Sequence, residues 1–121
     1  MMNRIVRIIC LLFIFCLVTF ANTPGKHTVL LTWIASSTSG VTYNIYRGTT
    51  AGVCNGTPTP YVTGITLTSY TDTNVQVGTY FYNVSAVSTI GDESICAGEV
   101  QCRVFQLIHL HHCLVHSNNI K

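Results

Sequence analysis

The stretch HLHHCLVH, from His109 to His116, gathers side chains of the kinds that ligate zinc, with Cys102 a few residues upstream. On a helix His109 and Cys113 share one face and His112 and His116 another, each pair at i, i+4. On a strand His109, His111 and Cys113 align instead. No C-x-x-C precedes the cluster, so the spacing is not that of a zinc finger. The plain alternative is an apolar tail with scattered histidines, and no cofactor is expected elsewhere in the chain.

Acid–base and nucleophilic chemistry find less material. The chain has 4 acidic residues: Asp72, Asp92, Glu93 and Glu99. Asp92 and Glu93 are adjacent, so on a strand they point apart, and GDES reads as a turn. Asp72, in SYTDT, reads as an Asx-type turn acceptor rather than a base. There is no G-x-S-x-G and no glycine-rich phosphate loop, and apart from His27 the histidines cluster in the tail. These residues predict a protein that is not an enzyme.

The elements that position these residues begin after an export segment. Arg4 and Arg7 precede the apolar run Ile8 to Phe20, which falls within the roughly 7–15 residues of a signal h-region. Thr19 and Ala21 suit cleavage after Ala21, so residues 1–21 read as a signal peptide and 22–25 as a short lead-in. A membrane span needs about 20 apolar residues. Membrane attachment is therefore expected only if the segment stays uncleaved. Without the signal, Lys26, Arg47, Arg103 and Lys121 balance the four acids, and the formal +2 disappears. No basic footprint for nucleic acid remains.

From Lys26 to Val100 the pattern has period two. Val29, Leu31 and Trp33 share one face, and Val41, Tyr43 and Ile45 point inward with Thr42, Asn44 and Tyr46 outward. Short strands follow around Tyr61–Val62 and Leu67–Tyr70. In GTYFYNVSAV, Tyr80, Tyr82, Val84 and Ala86 form a core row, and Phe81, Asn83 and Ser85 face the other way. ESICAGEVQCRV supplies a last strand. The connections SSTSG, RGTTAGVCNGTPTP, DTNVQVG and STIGDES are rich in turn formers. The expected fold class is all-β, an immunoglobulin-like β-sandwich. Asn55-Gly56-Thr57 and Asn83-Val84-Ser85 match the glycosylation sequon, but read here as a turn and a surface strand position.

Taken in order, LTW, YNIYRG, SYTDTNV, GTYFYNVSAV and GDES…GEV resemble the fibronectin type III domain in its bacterial secreted form, over residues 26–100. The resemblance implies that Trp33 is a strand B core residue and that Tyr43 and Ile45 are strand C core. It places Leu67 and Tyr70 at strand E and makes Tyr80 the tyrosine corner. It also implies a disulfide clip between Cys54 and Cys96, leaving Cys102 and Cys113 to pair by elimination. Two features depart from it. Strand A is truncated or missing, which leaves one sheet with a bare edge or a ragged start, and residues 101–121 form an irregular tail.

The implied function is a non-catalytic secreted, periplasmic or cell-surface module that binds other proteins or extracellular polysaccharide, or spaces other domains. Its candidate surface is Tyr46 stacked with Phe81 as a cross-strand aromatic pair, flanked by Asn44 and Asn83. The alternatives are a small metal-binding or membrane-tethered protein using the His/Cys tail, and a truncated gene product without a selected role.

Overall fold

Seven strands, all short and period-two in pattern, build two sheets. The computed structural model describes residues 26–107 and 110–115. The expected signal peptide, the 22–25 lead-in, His109 and His116 lie outside the described residues. The strands are β1 (His27–Thr32), β2 (Thr42–Gly48), β3 (Val62–Ile65), β4 (Ser69–Val75), β5 (Gly78–Val87), β6 (Val100–Val104) and β7 (Leu110–Leu114). One sheet has the order β4-β1-β7 and the other β3-β2-β5-β6. This is an immunoglobulin-like β-sandwich, as the alternation predicts.

The inward rows meet between the sheets. Val29 and Leu31 of β1 face Tyr43 and Ile45 of β2 and Tyr82, Val84 and Ala86 of β5. Trp33, just past β1, packs edge-on against Tyr43 with ring centroids 5.4 Å apart. Burying such rows removes apolar surface from water at about 25 cal/mol per Å², the main term holding the sheets together. Leu67 lies just before β4 and is exposed.

The sandwich runs past the boundary expected at residue 100. β6 pairs with β5 from Gly78↔Val104 to Tyr82↔Val100, and β7 lies along β1 in parallel from Thr28↔Leu110 to Thr32↔Leu114. The edge that the sequence leaves bare beside β1 is thus filled by a strand from the tail. Cys102, Val104 and Val115 are buried in the common core, because the tail's own alternation turns them inward.

Both expected disulfides are formed. The Cα atoms of Cys54 and Cys96 are 6.4 Å apart and those of Cys102 and Cys113 are 6.1 Å apart, inside the usual range. The second bond ties β6 of one sheet to β7 of the other. The first clips the long connection after β2 to the segment leading into β6. In chain-entropy terms a bridge across a 42-residue separation restricts the unfolded chain strongly. Replacing both Cys54 and Cys96 by serine is expected to lower the unfolding free energy by about 3–4 kcal/mol, read from urea denaturation of the two proteins.

Candidate functional site

On β2 the inward parity runs Tyr43, Ile45 and then Arg47; on β4 it runs Tyr70 and then Asp72. Opposite charges therefore enter the gap between the sheets from opposite sides. Asp72, directly across β1–β4 from Val29, is 0% exposed. The Arg47 guanidinium donates to its Oδ2 at 2.8 Å, the Tyr82 hydroxyl donates to the same oxygen at 2.7 Å, and the Tyr61 hydroxyl donates to Oδ1 at 3.0 Å. Arg47 also donates to the Tyr61 hydroxyl at 2.9 Å. Its guanidinium lies over the Tyr61 ring, 4.2 Å from the centroid, and 5.3 Å from that of Tyr80.

This geometry corrects the turn reading of Asp72. The residue is an interior acceptor in a regular strand, serving donors from the facing sheet. The phenols respond accordingly. Burial, then the hydrogen bond to Asp72, pushes the Tyr82 pKa far up, and the same two causes raise that of Tyr61. Burial lowers the pKa of Arg47, but the hydrogen bond and charge of Asp72 outweigh it and hold the guanidinium protonated. A carboxylate with both oxygens engaged by three donors is a structural ion, not a base awaiting substrate.

Of the residues expected to form an open binding patch, Asn44, Tyr46 and Asn83 are covered and Phe81 is half-buried. Asn44 is 9%, Tyr46 4% and Asn83 6% exposed. Tyr46 stands opposite Asn83 and Phe81 opposite Gly48, so Tyr46 and Phe81 are diagonal neighbours on one face. They do not stack. The Tyr46 hydroxyl and the Asn44 amide donate instead to Glu93 Oε1, joined there by the Ser85 hydroxyl.

Two connections roof this face. The segment after β5 runs back along the β5 edge, with the Ala97 N–H donating to the Val84 carbonyl at 2.8 Å, and reaches over the face with the Glu93 side chain. The loop after β2 is held by Glu99, whose carboxylate accepts the N–H groups of Gly52 and Val53, each at 2.9 Å to Oε2. Val53 lies so close over Gly48 that a Cβ there would meet its Cγ1 at 2.9 Å. The roof also buries the Asn83 sequon, whereas Asn55 is exposed.

Tyr80 is half-buried beside Tyr82, with ring centroids 6.5 Å apart. The Tyr82 hydroxyl is tied down inside the sandwich by a carboxylate, and the Tyr43 hydroxyl accepts the Ser36 N–H at 2.9 Å. The two tail histidines among the described residues, His111 and His112, are dispersed, since period two sends neighbours to opposite faces. His111 is buried edge-on against His27, His112 shares a 3.0 Å hydrogen bond with the Thr32 hydroxyl, and Cys113 is consumed in its disulfide. Among the described residues no three metal-ligating side chains converge.

A shallow cleft of about 170 Å³ opens beside Glu93, lined by Ser36, Val41, Ser88, Asp92 and Ser94. Its hydroxyls are engaged by backbone N–H groups, two within local turns and one across to β5. Ser36 Oγ accepts the Thr38 N–H at 3.2 Å, Ser88 Oγ that of Asp92 at 3.0 Å, and Ser94 Oγ that of Ala86 at 2.9 Å.

Comparison with known proteins gives one relative. The chain is 38% identical over 78 residues to the amylopullulanase of Thermoanaerobacter thermohydrosulfuricus, a stretch that covers 64% of this chain and 5% of that protein. No protein-family profile matches the chain, and no solved structure matches it.

Two kinds of outcome are expected from this geometry, the first from substitution within the Asp72 cluster. Arg47→Ala strands the Asp72 carboxylate in the interior and costs about 3–5 kcal/mol in urea unfolding. Tyr61→Phe, which removes one of the three donors to that carboxylate, costs about 1.5–3 kcal/mol. The second concerns pH. Burial pushes the Glu93 carboxyl up, but the hydrogen bonds from Ser85, Tyr46 and Asn44 outweigh it and hold the pKa below its ordinary 4.5. A group depressed in the folded state stabilises fully above its ordinary value and loses that contribution as pH falls through the folded one. The Tm difference between the parent and Glu93→Gln should therefore be constant at neutral pH and shrink below 4.5.

Proposed function

We propose that the chain is a secreted, non-catalytic accessory module of the fibronectin type III kind that contacts α-glucan alongside polysaccharide-acting proteins. The observation that carries this reading is the 38% identity to a domain-sized piece amounting to 5% of an amylopullulanase. The strand pairing supports the family assignment. β2 and β5 are adjacent and antiparallel in the places of strands C and F, with Trp33, Tyr43 and Ile45 in the core. The two disulfides support an oxidising, extracellular address. The non-catalytic reading is supported by how the acids are used: Asp72, Glu93 and Glu99 all accept hydrogen bonds that hold the domain together.

With the Tyr46–Phe81 face roofed, the exposed aromatic best placed for a sugar ring is Tyr61. It is 43% exposed and held by Arg47, whose guanidinium lies over its ring, and by Asp72; with Tyr82 these groups form a clamp between the sheets. A tyrosine combines an apolar ring face with a polar tip, which suits a ligand with C–H faces and hydroxyl edges.

The test is co-sedimentation of the chain with insoluble starch, together with an assay for released reducing ends. The expected result is retention without hydrolysis. Tyr61→Ala should weaken retention about tenfold, roughly 1.4 kcal/mol, while Tyr61→Phe, which keeps the ring, should retain it. A chain that releases reducing ends would contradict the non-catalytic reading. One that stays in the supernatant would be a spacer.

A further inference from the structure

The strand that fills the β1 edge is carried by a short link. Five residues, Phe105 to His109, take the chain from β6 in one sheet to β7 in the other. Short connections between an element and its docking place favour exchange of that element between copies. Apart from this link, β7 is held by its ladder with β1, by the Val115 N–H donating to the Thr32 carbonyl at 3.0 Å, by the His112–Thr32 and His111–His27 contacts, by burial of Val115 and by the Cys102–Cys113 bond.

We propose that the β1 edge is a strand-acceptor site whose second occupant is β7 of another copy of this chain, and that the Cys102–Cys113 disulfide decides which copy's tail it holds. The acceptor reads backbone N–H and C=O groups along β1, plus the inward side chains His111 and Val115. The same segment from a second copy presents the same groups, so exchange conserves every contact and costs little beyond association.

Nothing on β7 opposes it. From Phe105 to Val115 there is no lysine, arginine, aspartate or glutamate, the side chains that ordinarily keep strand edges apart. The outward Leu110 and Leu114 are exposed and apolar. The pairing is parallel, the slightly weaker of the two ladder types. A copy that closes Cys102 onto its own Cys113 is committed to a monomer. Two copies that close reciprocally are a covalently locked dimer with both β1 edges filled.

The experiment uses full-length chains grown in light and heavy isotopes. They are mixed, reduced, denatured and refolded over a range of protein concentrations with oxidised glutathione as the electron acceptor for each new disulfide. Trypsin cuts after Arg103 and so separates Cys102 from Cys113, while leaving Cys54 and Cys96 on one peptide. The expected result is a dimer that grows with concentration and in which about half of the Cys102–Cys113 cross-links join one light and one heavy peptide, the statistical share for exchange. Cys54–Cys96 should remain within single chains. Unmixed Cys102–Cys113 peptides at every concentration would overturn the proposal. So would equal mixing at both disulfides, which is random pairing.

A second arm removes the lock without refolding under oxidation. Cys102→Ser with Cys113→Ser should give a mass that rises from monomer to dimer with concentration in light scattering. A monomer throughout, with β7 amides still protected from hydrogen exchange, would overturn the proposal independently.

Discussion

A carboxylate with 0% exposure sits between two sheets and is tolerated because three donors from the facing sheet converge on it. Asp72 belongs to β4; Arg47, Tyr61 and Tyr82 belong to β2, to the approach to β3, and to β5. An uncompensated charge in that position would cost several kcal/mol, so the sheets are free to pack only in the register that brings all four groups together. The hydrophobic rows drive the sheets together without fixing their offset, since apolar contacts are non-directional. The clamp supplies direction, and its position beside Tyr80 and the exposed Tyr61 ring makes the same cluster the base of the proposed sugar-contacting surface.

The other face of the β3-β2-β5-β6 sheet repeats the device in milder form. Glu93 collects donors from Asn44, Tyr46 and Ser85, and Glu99 collects two backbone N–H groups from the loop after β2. With the Cys54–Cys96 bond, these contacts hold a roof over strand positions that alternation alone would leave wet. A chain that is only 8% charged places three of its four acids this way. Those three carboxylates are engaged in holding strands and loops together.

Much of the architecture was legible because period two is a strong signal. Trp33, Tyr43, Ile45, Tyr82, Val84 and Ala86 all lie in the core on the faces read from the sequence, and the Cys54–Cys96 clip follows the fibronectin resemblance. The signal for the clamp was present but easily passed over. Arg47 continues the inward parity of Tyr43 and Ile45, and Asp72 that of Tyr70, yet a charge at an inward position argues for a turn until its partner across the gap is known. The roof was not legible, since it depends on long loops whose path follows from one disulfide and two glutamates. The parallel placement of β7 was not legible either, because the alternation of LHHCL reveals a strand but not its neighbour or direction.

The central claim is that Asp72 and Tyr82 act together as a joint between the sheets. A double-mutant cycle on Asp72→Ala and Tyr82→Phe, followed by urea unfolding, tests it most directly. The account predicts that the double variant is more stable than the sum of the single losses allows, with a coupling of about 1.5 kcal/mol or more. Losses that add to within about 0.3 kcal/mol would mean that the two groups do not act on one another, and would contradict it.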